Sequence, residues 1–334
     1  MPSVIDSQNW ERYFDQLREF ANKRNLSKLL IYWQGGEVLT LNPDMVQQGL
    51  DTCHKIMDAA GIEIEHHLQS NLLLYSDRWK NIITEYFRGS ISSSLDFPNL
   101  YRKYNNHNGD SYNDRWLEKR LEAESDGLVV NLITLPNEGT LEKGAAEFYS
   151  YFSKTVGIRN VQINFPFTGI DGHNPPPLSL DKLGNFMQEL YELWVDSDRY
   201  LNLNPFYALE NRIYKNNGRL PCTWSYNCAN FIFAVSPEGE IGQCDCWVST
   251  HKDFNYGVLG QDDISNIWDA KNRELFTDRP TRMIEDPECG TCQFWGICFG
   301  GCPIRALTFN NDLYSRDYYC PVYKQIFAAV LGGS

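Results

Sequence analysis

Apolar and polar positions along the first two-thirds of the chain follow two rhythms. The apolar run Leu29-Leu30-Ile31-Tyr32-Trp33 and residues 62–68, 90–95, 127–135 and 160–165 read as strands. Between them, residues 42–60, 76–88, 141–156 and 180–193 carry helical periodicity. Pro43 sits near the first turn of the 42–60 segment, and Gly61 follows as a C-terminal cap. Alternation at this spacing predicts parallel strands joined by right-handed crossovers, hence an α/β barrel or open sheet. In such folds functional residues gather at the carboxyl ends of strands. Gly35-Gly36-Glu37, Ser70-Asn71 and Ser94-Leu95-Asp96 all fall at such ends.

Two segments break the rhythm. Residues 104–114 (YNNHNGDSYND) are polar and aromatic without a period and read as a loop over the barrel mouth. Residues 168–177 (TGIDGHNPPP) are rich in Gly and Pro and read as a second loop. After about residue 218 the texture changes. Strands around Phe231-Ile232-Phe233-Ala234-Val235 and Glu240-Ile241 flank a Pro237-Glu238-Gly239 turn, the pattern of a hairpin. Beyond it the chain reads as irregular, held by metal rather than by a core. A boundary near residue 216 is expected, giving regions 1–215 and 216–334.

Composition narrows the class. The chain has 334 residues, 42% of them hydrophobic, which is ample for a real core. A net charge of −13 argues against nucleic-acid and anionic-membrane partners, both of which favour a basic surface. No stretch approaches ~18 uncharged apolar residues, so no membrane span is expected. The opening MPSVIDSQNWERYFDQL carries acids early and has no apolar signal core, so export is not expected either.

The cysteines then dominate. Nine of the ten follow residue 221. Cys222-x5-Cys228 is followed by x10-Gly239-x4-Cys244, then by Cys289-x2-Cys292-x5-Cys298-x3-Cys302, and finally by Cys320. Disulfides are the alternative reading, but CxxC and CxxxC pairs are natural metal chelates and a chain this large needs no staples. The compartment is read as a reducing cytoplasm. All but Cys246 and Cys53 make two complete sets of four thiolates, as two cubane clusters require. A zinc-stapled protein would use the same thiolates and is the competing metal reading.

The formula resembles the SPASM domain of radical S-adenosylmethionine (SAM) enzymes, a group that includes anaerobic sulfatase-maturating enzymes and maturases of ribosomally made peptides. The likeness covers residues 216–325. It implies that Cys222, Cys228, Cys244 and Cys302 bind one auxiliary [4Fe-4S] cluster, and Cys289, Cys292, Cys298 and Cys320 the other. Further motifs follow in the family's order. IYWQGGEVL is similar to its GGEP motif, with Val38 in place of Pro. Gln69-Ser70-Asn71 is similar to its T-N-G strand end, with Leu72 in place of Gly. SSSLDFP is similar to SLDGP, with Phe97 in place of Gly. The resemblance implies that Gly35, Gly36, Glu37, Ser70, Asn71, Ser94 and Asp96 belong to a SAM site. It also implies that Asp245 is a base acting on a peptide or protein substrate, and that an electron donor such as flavodoxin or ferredoxin serves the clusters. The expected fold is a partial (β/α) barrel missing its first strand, followed by a small irregular α+β SPASM domain.

One family feature is missing. CxxxCxxC, whose three thiolates hold the cubane that chelates and splits SAM, does not occur, and upstream of Cys222 the sole cysteine is Cys53. Cys53 lies mid-helix and reads as a buried small side chain; its neighbour His54 points elsewhere on the helix. Two explanations stand: a chain that begins downstream of the triad, or a protein that keeps the barrel and clusters for binding or electron transfer. As written, the polypeptide is not expected to cleave SAM. Clusters with four cysteine ligands leave no open site for substrate, so electron transfer is their expected role. Cys246 reads as structural, Trp224, Tyr226, Trp295 and Phe299 as packing that keeps water from the clusters, and of His66-His67 at most one points inward.

Overall fold

The structure is a computed structural model describing residues 9–104, 109–167, 178–217 and 219–332. In chain order the first elements are α1 (Trp10–Lys23), β1 (Lys28–Trp33), α2 (Pro43–Ala59), β2 (Glu63–Leu68), α3 (Asp77–Tyr86) and β3 (Ser90–Ser94). Then come α4 (Gly109–Ser125), β4 (Val129–Thr134), α5 (Glu138–Ser150), β5 (Asn160–Ile163), α6 (Leu180–Asp196), β6 (Asn202–Asn204) and α7 (Phe206–Tyr214). The strands β7 (Ala234–Val235) and β8 (Glu240–Gly242) precede α8 (Asp245–Val248) and β9 (Gly257–Val258). Each of the five strands expected in the first two-thirds is present, within two residues at every end.

The chain forms two compact units, interleaved along the sequence. The first comprises residues 1–93, 115–130 and 231–275, and the second residues 94–114, 131–230 and 276–334.

In the first unit β1 and β2 pair in parallel, Lys28 opposite Glu63 through Trp33 opposite Leu68. The crossover is α2. Its start is set by Pro43 and by Asn42, whose side chain accepts the Asp44 N–H. Gly61, at φ +69°, turns the chain back toward β2. Val46, Leu50, Cys53 and Met57 fall at helical spacing and are buried. Cys53 and Met57 pack with Trp10 and Phe14 of α1 and with Leu29, Ile31 and Trp33 of β1. Contact is close enough that a Cβ on Gly49 would lie 2.8 Å from the Trp10 ring. A bridge between Gln69 and Ser92 carries the parallel order on toward β3. The hairpin is present too: β7 pairs antiparallel with β8, and Gly239 takes φ +87° in its turn. Ile241 and Leu259 pack with Tyr13 and Phe20 of α1.

In the second unit β4, β5 and β6 run parallel in that order, with Leu132 opposite Val161 and Val161 opposite Leu203. An Asn137–Thr140 capping box starts α5, which then bends at Gly144 (φ +80°) and ends in a π-helical turn, Tyr151–Val156. The C-terminal helix Cys320–Gly332 lies along α6, and Gly184 leaves no room there for a Cβ beside Gln325.

Two expectations are corrected. The stretch 104–114 is not a loop throughout, because α4 begins at Gly109; residues 105–108 lie outside the described residues, as does the loop expected at 168–177. Tyr112, Trp116 and Ala123 are buried on α4 together with Lys119 and Arg120, while Asp114 and Glu118 between them are exposed, so this polar stretch is a helix rather than a loop. The region after the hairpin is not held by metal alone either, because its last helix packs an apolar face on α6. Val322, Tyr323, Ile326, Phe327 and Val330 are buried from the last helix alone.

Candidate functional site

Gly35 and Gly36 follow β1 with φ +94° and +55°, and no heavy atom lies within 4 Å of where either Cβ would stand. These glycines answer a conformational need and leave the backbone open to approach. Glu37 then reaches across to the end of β2. Its Oε1 accepts the Leu39 N–H at 3.0 Å and the Ser70 hydroxyl, and its Oε2 accepts the Asn71 N–H at 2.6 Å. Ser70 Oγ in turn accepts the Leu72 N–H at 2.9 Å, and Asn71 Oδ1 the Leu73 N–H at 3.0 Å. The two motifs, 33 residues apart, are thus one hydrogen-bonded site. Leu72 stands where the resemblance expects glycine, yet takes φ +70° with its side chain wholly buried. The glycine conformation persists without the glycine.

Nearby, His66 is buried and accepts the Trp33 indole N–H at 3.1 Å. Burial, then the neighbouring His54 and His67, lowers its pKa to about 3. The expectation that one of the two histidines points inward holds: it is His66. Cys53 is fully buried, and burial pushes its thiol up to about 12, so it is inert.

Ser94 and Asp96 belong to the second unit and are both buried. The Asp96 carboxylate is engaged on both oxygens: Oδ1 accepts the Leu135 N–H at 2.9 Å, and Oδ2 faces Arg102 Nε at 2.7 Å. Tyr112 donates its hydroxyl to the Ser94 carbonyl at 3.1 Å. Phe97, standing where glycine was expected, stacks on Tyr151 with ring centroids 4.2 Å apart.

The cysteines of the second unit fall into groups. Cys289, Cys292, Cys298 and Cys320 line one cavity, with Trp295, Gly300, Tyr323 and Phe327. Burial and then Cys320 push the Cys298 thiol up to about 12, while burial, Asp286 and Cys320 push Cys289 up to about 11. The other group is Cys222, Cys228 and Cys302. Burial raises Cys228 to about 12, and Cys302 and Cys222 add to it; burial likewise raises Cys302 to about 12. Cys320 thus opposes ionisation of Cys298 and Cys289, and Cys222 that of Cys228 and Cys302, a penalty that a bound cation would reverse. Among the described residues no three His, Cys, Asp or Glu side chains converge tightly enough to hold one metal ion. A cubane asks for wider spacing, since each sulfur binds a different iron. The donor set fits such a cluster. Cys244 lies in the first unit at the N-cap of α8; Asp245 is exposed on the first turn and Cys246 half-buried.

Sequence reasoning missed four residues here. Asp317, Arg305 and Tyr323 form a buried cluster in which Arg305 Nη2 and Asp317 Oδ2 are 2.8 Å apart. Arg279, also buried, donates to four backbone carbonyls. Burial alone would lower the Arg305 pKa, but Asp317, Tyr323 and Cys302 raise it well above its ordinary value. The one available signal was position: Arg305 and Asp317 each stand three residues from a cysteine of the formula. The aromatic reading divides. Trp224 is buried against Tyr323 and Phe327, whereas Tyr226 is 57% exposed.

No family model matches the chain. It is 22% identical over 348 residues to the Cysteine-type anaerobic sulfatase-maturating enzyme of Clostridium perfringens, covering 97% of this chain and 89% of that one. To the Serine-type anaerobic sulfatase-maturating enzyme of Klebsiella aerogenes it is 23% identical over 295 residues, covering 86% and 69%. The solved structure of native anSMEcpe with bound AdoMet and Kp18Cys peptide superposes with a TM-score of 0.78 at 18% identity, over 99% of this chain and 90% of that one. The chain thus resembles sulfatase-maturating enzymes of the radical SAM/SPASM kind in sequence, and it shares the mixed α/β fold of that solved structure. Among the described residues no helix is long and apolar enough to cross a membrane.

Proposed function

We propose that the chain is a radical SAM/SPASM-type protein that modifies a peptide or protein side chain and carries two auxiliary [4Fe-4S] clusters. Residues 1–215 would form a partial (β/α) barrel lacking its first strand, and residues 216–334 the SPASM domain, in a cytoplasmic protein. The observation that carries this reading is the grouping of thiols. Cys289, Cys292, Cys298 and Cys320 surround one cavity, while Cys302, though four residues from Cys298, stands with Cys222 and Cys228. That crossing supports the assignment of Cys222, Cys228 and Cys302 to one cluster and of the other four to the second; Cys244 joins the first set by the resemblance alone. Bound clusters would supply one-electron transfer.

The residues of the chain have separate tasks in this reading. The open backbone at Gly35 and Gly36 would meet the amino group of SAM. Glu37 holds Ser70 and Asn71 in place beside it; Ser94 and Asp96 are assigned to the cofactor by the resemblance alone. Asp245, exposed at the start of α8, would take a proton from the peptide. A flavodoxin or ferredoxin would deliver the electrons. Splitting SAM needs three further thiolates that these 334 residues do not contain.

The second reading is a non-catalytic iron–sulfur protein that keeps the barrel and clusters for binding or electron transfer. Anaerobic purification with iron and sulfide analysis tests what both share. About eight irons per chain and the broad absorbance of iron–sulfur centres are expected, whereas a colourless zinc protein would defeat both. The reading frame upstream of Met1 separates the two. An in-frame CxxxCxxC, with 5′-deoxyadenosine formed by the longer product, supports the enzyme; a stop codon there leaves the electron-transfer protein.

A further inference from the structure

The segments that carry the two cysteine groups meet on one buried carboxylate. Asp317 is 2% exposed. Its Oδ2 accepts the Cys302 backbone N–H at 2.8 Å, and its Oδ1 accepts the N–H of Tyr319, the residue before Cys320, at 3.0 Å. Tyr323, which lines the cavity of the second group, donates its hydroxyl to the same Oδ2 at 3.0 Å. Arg305 closes the arrangement, bonding both carboxylate oxygens and reaching Thr223 Oγ1, beside Cys222, at 3.3 Å. Gly301 makes the approach possible: at φ +73°, a Cβ there would lie 2.4 Å from Asp317 Cβ. From the other side, Arg279 donates to the carbonyls of Gly300, Gly301, Leu313 and Ser315 at 2.8–3.1 Å.

Stability alone does not call for this arrangement, because a well-packed apolar pair often serves as well as a buried ion pair. What the carboxylate adds is a set of oriented acceptors aimed at the backbone of two ligand-bearing segments at once. Resting on the two-cluster reading above, we propose that Asp317 is a positioning residue that couples the two cysteine groups, so that filling one with a cluster orders the thiols of the other.

The test is reconstitution of the full chain, anaerobically, with ferrous iron and sulfide at half the saturating amount, followed by native mass spectrometry. Coupled sites give mainly empty and doubly loaded chains: couplings of about 5- to 150-fold lower the singly loaded share from the roughly one-half of independent sites to between about a third and about a twelfth. In the R305M/D317L double variant the singly loaded share is expected to rise to about one-half, and Asp317→Asn, which keeps the shape of the side chain, to move it in the same direction. A purely structural role would lower all loaded species together and leave their distribution unchanged. Singly loaded wild-type chains at the independent share would overturn the proposal, as would an all-or-none distribution in a double variant whose circular dichroism matches wild type. If the double variant does not fold, the wild-type distribution and Asp317→Asn decide. Chains that take no iron, or that saturate at about four irons, would instead defeat the two-cluster reading, and this proposal with it.

Discussion

Glu37 and Asp317 do similar work in different surroundings. Each is one carboxylate that gathers backbone N–H groups from segments distant in sequence, Glu37 from Leu39 and Asn71, Asp317 from Cys302 and Tyr319. Glu37 is half-buried, and it is held by two backbone N–H groups and a hydroxyl. Asp317 is buried and faces a guanidinium, because a charge taken out of water must be matched. The first unit therefore holds its strand ends with a clamp that water can partly replace. The second holds its cysteine segments with one that water cannot reach.

That contrast sets an order of effects. Arg305→Met leaves the Asp317 carboxylate buried and unmatched and is expected to cost ~3–5 kcal/mol, with much of it restored in the R305M/D317L double variant; urea denaturation of both chains measures this. Acid provides the next largest effect, in the first unit. The folded pKa of His66 lies near 3, below the ordinary ~6.5, so below ~6.5 the unfolded chain binds the extra proton. Stability should be indifferent to His66 above that pH and fall progressively toward pH 3, by roughly 2 kcal/mol at pH 5. A His66→Gln variant should lose that part of the pH dependence. Glu37→Ala should cost less than the Arg305 change, ~1–2 kcal/mol, because water reaches part of what it leaves unpaired. A cost as large as that of Arg305→Met would erase the distinction drawn between the units. Gly36→Ala should cost least, ~1 kcal/mol, since it meets no neighbour and pays only for its left-handed backbone. Thermal unfolding of these last two chains orders them.

The strands were legible because β1 is an apolar run and the others fall at regular spacing between helical stretches, and α2 because Pro43 and Gly61 mark its two ends. α4 was hidden because its buried residues are Tyr112 and Trp116, set among polar letters that resemble a turn. Among site residues, Gly35, Gly36, Glu37, Ser70 and Asn71 were found from strand ends and do come together. The sequence also listed every cysteine, but the group to which Cys302 belongs came from a resemblance rather than from spacing. Asp317, Arg305 and Arg279 could not be found this way, because a buried charge cluster assembled from three separated segments leaves no local period or motif.

Leu72 carries a lesson for anyone scanning genomes with short signatures. A filter that insists on glycine at that spot would discard this chain, although its main chain bends as such a filter presumes. The hydroxyl of Ser70, accepting the amide of this buried residue, holds the main chain in a posture that leucine would seldom choose alone. Detection by shape would succeed here where detection by letter fails.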